Sequence, residues 1–227
     1  MKPFSIVLVA LAGCAPIIHA QDATPLAVTS VAQRTSSPTA FAPRGWKTEK
    51  IVRGDLNRDG RSDAAIVLVQ NKSARVEDGV PMGRQRALVI ALNTRKGWQR
   101  VGFSNQLLLG TRDGGAFYGM TDAPVELSIE KGVVLVVMEF GSREVTTTTH
   151  RLRWEPKRKA VYVIGRDTAT RDRATGNGET TSVNYLTGAK HVTTSALGGN
   201  VGRTVKSRVA REWRWLGAVK EDDRYTP

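Results

Sequence analysis

Residues 55–63 read Asp55-Leu56-Asn57-Arg58-Asp59-Gly60-Arg61-Ser62-Asp63, a D-x-N-x-D-G-x-x-D run. Oxygen-bearing side chains fall at alternating positions of a short loop and again at its end. That spacing wraps a hard cation, Ca²⁺ above all, in oxygen ligands. Gly60 permits the sharp bend. The carbonyl of Arg61 adds a backbone oxygen, and Asp63 closes the site directly or through water. The expected metal ligands are therefore Asp55, Asn57, Asp59, Arg61 and Asp63. An EF-hand would place a bidentate Glu where this chain has Ile66. With that carboxylate missing, the expected affinity is modest, on the order of 10⁻⁴–10⁻³ M, as in extracellular Ca²⁺ modules. The ion's expected role is structural, with binding energy becoming folding energy. The plainer reading is a polar turn, since Asn, Asp and Gly are what hairpin loops use. Five polar positions in this order are more than a turn needs.

Other residues that could do chemistry are sparse, and no catalytic set is expected. Beyond the N-terminal segment only His150 and His191 remain, few candidates for a His-based triad. The motifs H-E-x-x-H, G-x-S-x-G and the P-loop do not occur. Ser128-Ile129-Glu130-Lys131 has the letters of S-x-x-K, but that motif needs a helix, and these residues run from a strand into a Lys-Gly turn. Glu126, Glu130 and Glu139 have the type of a glycosidase pair without a separation that sequence can supply. Trp213 and Trp215 alternate as a sheet face does, and could also stack on sugars.

The elements that must position the loop are strands. Ala64 to Val69 is a short continuous aliphatic run and reads as a buried strand leaving the loop. Trp46 to Arg53, which enters it, has no helical stripe. Further strands are expected over 86–93, 98–108, 124–130, 133–140, 145–154, 160–166, 179–185, 190–195 and 203–216. Turn signals such as Arg95-Lys96-Gly97, Lys131-Gly132 and Thr187-Gly188 separate them. The expected fold is all-β, an antiparallel meander closed into one propeller-like or sandwich-like domain spanning 46–220. Val133 to Phe140 is the most apolar run and reads as a central strand covered on both faces, whereas Thr146 to Trp154 should have one wet face. Residues 71–85 and 167–178 read as polar, mobile loops, and 221–227 as a tail.

The N-terminus reads as an export signal, with Lys2 before an apolar stretch from Phe4 to Ala12. That stretch is too short for a membrane span, which needs about 20 apolar residues. Two processing sites compete: cleavage after Ala20, or a lipobox Leu11-Ala12-Gly13-Cys14 that would leave a lipidated Cys14. Cys14 is the single cysteine, so the mature domain has no disulfide, and a bound Ca²⁺ would be a substitute staple. Residues 21–45, rich in Ala, Thr, Ser and Pro, read as a flexible linker. The expected location is the periplasm, soluble or tethered to the outer membrane through Cys14.

The Asp55–Asp63 loop followed by an apolar strand resembles the FG-GAP/VCBS-type repeats of integrin-like propellers and bacterial surface proteins. A single copy is present, where a repeat propeller has several. Gly54 to Gly60, Gly114-Gly115, Phe140-Gly141-Ser142, Val163 to Asp167 and Ser182 to Lys190 together resemble small exported bacterial proteins with one such loop. One part of that set resembles the exported, periplasmic immunity proteins of Xanthomonas-type bacteria. Those neutralise peptidoglycan hydrolases and have a propeller-like body with bound Ca²⁺. The resemblance implies a protein that binds and inhibits a cell-wall hydrolase. It carries no inhibitory motif onto this sequence.

The formal charge is +13, and removal of the leader with Lys2 leaves +12. Arg151, Arg153, Lys157, Arg158 and Lys159 are the densest basic cluster, read as a solvated turn or as a docking surface for an anion. No DNA- or RNA-binding motif appears, so nucleic acid is not an expected partner. Expected partners are a protein, with a cell-wall hydrolase foremost, or an anionic envelope polymer. A basic inhibitor needs a target that is neutral or acidic on its bound face.

Overall fold

A computed structural model describes residues 25–73, 76–77, 80–81, 83–119, 121–196 and 201–220. The leader, Cys14 and the 221–227 tail lie outside the described residues. The chain is all-β, with three short 3₁₀ turns and no α-helix among those residues. Among the described residues no helix is long and apolar enough to cross a membrane.

The first sheet comprises β1 (Arg34–Thr35), β2 (Trp46–Gly54), β3 (Asp63–Gln70), β6 (Arg86–Thr94) and β7 (Gly97–Ser104), in the order β1-β7-β6-β3-β2. A small excursion, β4 (Val76–Glu77) with β5 (Val80–Pro81), interrupts the expected 71–85 loop. The second sheet is an uninterrupted antiparallel meander. It runs through β8 (Val125–Glu130), β9 (Val133–Gly141), β10 (Glu144–Glu155), β11 (Ala160–Asp172), β12 (Gly178–Asn184), β13 (Ala189–Ser195) and β14 (Val201–Arg208). A last strand, β15 (Arg214–Trp215), returns to pair with β11. Neither sheet closes into a barrel.

The period-2 alternation of strands sorts the side chains into two cores. Ala65 and Val67 of β3 and Leu88, Ile90 and Leu92 of β6 face Val134, Val136, Met138, Leu152 and Val161 of the second sheet. Their alternates Ala64, Ile66, Leu68, Ala87, Val89 and Ala91 face the opposite way, onto Leu26, Val31 and Phe41. β3 and β6 are thus buried on both faces, which is why they read as continuous aliphatic runs.

Several expectations need correction. Residues 25–45, expected within a flexible linker, form a third layer on the first sheet. Leu26, Val31 and Phe41 are buried there, and β1 pairs with β7. The Ala/Thr/Ser/Pro composition hid three well-spaced apolar anchors. Val133–Phe140 is covered on one face only: Val134, Val136 and Met138 are buried, while their alternates are half-exposed. The alternates lie opposite Thr149, Arg151 and Arg153 of β10, whose long stems can shelter apolar neighbours.

The 98–108 strand stops at Ser104, where the Ser104 hydroxyl accepts from the Gln106 and Leu107 amides at 3.3 and 3.1 Å. That local turn competes with the ladder. The 203–216 strand ends at Arg208. The Val209 and Glu212 amides then donate to Gly188 and Tyr185 carbonyls, and the chain changes partner while its alternation continues. The 167–178 loop is mostly strand, its turn reduced to 173–177. There Asp172 accepts from the Ala174 and Thr175 amides and pairs with Arg143 at 2.9 Å.

Candidate metal loop and intersheet cleft

The five sequence-singled residues sit on the β2–β3 connection. Asp55 Oδ1 accepts from the Arg58 and Asp59 amides at 2.6 and 3.2 Å, and its Oδ2 from the Gly60 amide at 2.9 Å. The loop is therefore wound around the Asp55 carboxylate. Gly60 has φ of +80°, the left-handed region that glycine enters without strain. Asn57 Oδ1 accepts from the Asp59 amide at 3.1 Å, and Asp59 Oδ1 from the Arg61 amide at 2.9 Å. The Arg61 guanidinium beside Asp59 holds that carboxyl down at about 2. Both partners are substantially exposed.

Asp63 behaves differently. It is fully buried. Its Oδ2 accepts from the Leu56 amide at 2.9 Å, and its Oδ1 from the Asn93 amide of β6 at 2.8 Å. Burial pushes its carboxyl up, against the pull of these amides. Leu56, inside the loop, is buried in the intersheet core. A Cβ on Gly54 would come within 2.6 Å of Ile129 in β8, so the loop's entry lies directly against the second sheet. The loop is a junction of both sheets.

The donor chemistry fits a hard cation, since every side-chain donor is oxygen. The arrangement is satisfied by amides: among the described residues no three His, Cys, Asp or Glu side chains converge as a metal-holding group. An ion held here would have to displace Arg61 from Asp59.

The other sequence candidates disperse. His150 is buried in β10 and His191 exposed in β13. Ser128 lies within β8 and Lys131 in the turn after it, without the helical spacing S-x-x-K requires. Glu139 accepts from the Tyr118 hydroxyl and from Thr147. Burial, and then Glu139, push Tyr118 up to about 12. Glu126 and Glu130 are exposed on β8. The basic cluster also divides: Arg151 pairs with Asp167 and Arg153 with Glu155, while Arg158 lies over the Trp213 ring at 4.5 Å.

What sequence reasoning missed is a cleft of about 920 Å³ between the sheets, bounded by β7, the β10–β11 turn and β15. Trp154, Tyr162, Trp215 and Phe103 line it with Arg100 and Lys159. Trp215 is 53% exposed and Trp213, beside the cleft, 41%. Trp213 meets Tyr162 edge-on at 5.2 Å. The alternating tryptophans were the available signal; that β15 returns to β11 was not legible. No family model matches the chain, and neither a curated protein nor a solved structure matches it.

Proposed function

We propose that this chain is an exported protein that works by binding another protein, a peptidoglycan hydrolase of the periplasm that it inhibits. Ca²⁺ in the 55–63 loop is its structural staple. The observation that carries the binding reading is the open cleft with its exposed tryptophans and arginine-stacked rim. Trp, Tyr and Arg are the residues that concentrate binding energy at protein interfaces. The export signal and the resemblance to immunity proteins support the choice of partner. The test is titration of the mature protein into turnover assays of hydrolases encoded beside it, with Ca²⁺ present. Stoichiometric loss of activity is expected, and full activity with every such enzyme would end this reading.

A second reading, binding to an anionic envelope polymer, draws on the +12 charge left once the leader with Lys2 is removed. Sedimentation with isolated peptidoglycan across a salt series separates the two readings, because a charge-driven contact weakens with salt.

The staple has its own test. Ca²⁺ at tenfold excess over Kd adds about 1.4 kcal/mol of stability, a Tm rise of roughly 3–6 °C for a domain of this size. Asp59→Ala is expected to abolish that rise while barely moving Tm in chelator, because the exposed Asp59–Arg61 pair is worth little. Asp55→Ala is expected to lower Tm in both conditions, because Asp55 holds three loop amides. An undiminished Ca²⁺ rise in Asp59→Ala would take the ion out of this loop.

A further inference from the structure

The second sheet ends on an exposed strand. β14 is the last in its order, and β13 is its one strand partner among the described residues. Gly202 to Arg208 are each exposed. The Val209 amide donates to the Gly188 carbonyl at 2.8 Å, which sets the phase of the β13–β14 ladder. Hydrogen-bonded and non-hydrogen-bonded pairs alternate along antiparallel strands. Ser207, opposite Lys190, and Val205, opposite Val192, therefore turn their N–H and C=O groups toward β13. Thr204, Lys206 and Arg208 turn theirs to the outer edge. A row of outward backbone groups on an exposed strand is a template for another strand.

The hairpin also gains little from packing. No residue of β13 is buried, nor any from Gly202 to Arg208, and Val205 is 46% exposed. An added strand would supply the cross-strand neighbours that β14 has on one side only.

Charge selects the occupant. From Thr180 to Arg211 the sequence has no Asp or Glu, yet it holds Lys190, Arg203, Lys206, Arg208 and Arg211. Lys190, Arg203, Lys206 and Arg208 form no ion pair with a described residue. In register, the closest described acids are Glu179, opposite Thr194 at the far end of β13, and Asp167 on β11, which pairs with Arg151. A second copy of the chain is a poor match, because two β14 edges side by side would bring like charges together. The same cations that blunt self-pairing suit a partner that carries carboxylates.

We infer that β14 is a docking edge for an acidic, extended segment of a partner protein. The segment adds as a strand, bonding to the outward N–H and C=O groups of Thr204, Lys206 and Arg208. Its carboxylates meet Arg203, Lys206 and Arg208. Main-chain hydrogen bonds supply affinity in such strand addition, and the side chains supply selectivity. This inference rests on the protein-binding reading and adds a surface apart from the intersheet cleft.

The test uses the mature protein with Ca²⁺ and labelled ten-residue peptides read by fluorescence polarisation. One alternates Glu with Val, one has Lys for Glu, and one is the acidic peptide N-methylated throughout. The acidic peptide is expected to bind with a Kd below about 1 mM. The other two are expected to bind at least about tenfold more weakly. Arg203→Gln, Lys206→Gln and Arg208→Gln together should weaken the acidic peptide by a similar factor at unchanged Tm. Arg100→Gln with Lys159→Gln, in the cleft, should leave it unchanged. Thr204→Pro removes an outward donor and no bond to β13, and should also weaken it. If that variant lowers Tm, amide exchange by NMR on the unaltered protein decides: the Thr204, Lys206 and Arg208 amides are expected to gain protection when the peptide binds.

No binding of the acidic peptide, or equal binding of the Lys or N-methylated one, would overturn the inference. So would loss of binding in the cleft variant rather than the β14 variant, or equal competition by polygalacturonate, an anionic polymer without amides. A hydrolase inhibited equally by the unaltered protein and the triple Gln variant would remove β14 and leave the protein-binding reading standing. Acidic-peptide binding at β14 with no hydrolase inhibited would do the reverse.

Discussion

Replacing Asp63 with alanine is expected to cost about 3 kcal/mol of stability and roughly 10 °C in Tm, with or without Ca²⁺. The buried carboxylate holds two amides that no other group reaches: Leu56, which plugs the loop into the intersheet core, and Asn93 at the end of β6. Hydrogen bonds to a charged acceptor contribute about 1.5–3 kcal/mol each, and an orphaned buried amide costs about 1–3 kcal/mol. The desolvation that raises the Asp63 carboxyl offsets part of this, so the net is closer to one such bond and one orphan than to two of each. Asp63→Asn discriminates further. Both carboxylate oxygens accept from N–H groups, so the amide must turn its NH₂ toward one of them. We expect Asn to recover less than half of the loss. Chemical denaturation in chelator measures both, and a loss seen only with Ca²⁺ would mean that Asp63 acts as a ligand alone.

The second large effect is expected at Arg86. Its guanidinium is buried, donating to both Glu49 carboxylate oxygens at 2.7 Å and to the Ala123 and Leu109 carbonyls at 2.9 and 3.3 Å. One side chain therefore joins β2, β6, the segment after β7 and the approach to β8. Its geometry is the planar fork that a lysine cannot reproduce. Glu49→Ala leaves a buried cation with two carbonyls and no counter-charge, at about 3 kcal/mol. Arg86→Met strands the two carbonyls instead, while Glu49, 29% exposed, can turn to water; about 3 kcal/mol is again expected. The double variant should cost little more than either single one, a coupling of about 2 kcal/mol. Strict additivity in urea titrations would show that the two groups do not act as a unit.

How much of this was legible in the sequence differs between elements, for physical reasons. β3 and the loop before it were readable because both signals are local: a run of aliphatics and a fixed spacing of oxygen donors. The two-residue turn at Lys131-Gly132 was readable for the same reason. The role of Asp63 was not, because it depends on Asn93, thirty residues away in sequence. The burial of Leu26, Val31 and Phe41 was hidden by the polar residues between them. β15 was hidden because alternation records a strand's face and not its partner. The cleft exists only once β7, the β10–β11 turn and β15 are assembled, so no window of sequence contains it.

The N-terminal layer has a consequence for the order of folding. Apart from β15 on β11, every neighbouring pair in the second sheet is also consecutive in the chain, so each of those hairpins closes a short loop at small entropic cost. The N-terminal layer is different: Gln33 is bonded to Arg100 across 67 residues and Asn105 to Leu26 across 79. Such distant pairings form slowly. The first part of the domain to be synthesised must wait for β7 before β1 has an edge to pair with. Until then the outer apolar faces of β3 and β6 stand open, and the stretch from 63 to 94 is where a half-made chain is most exposed to association with its own copies.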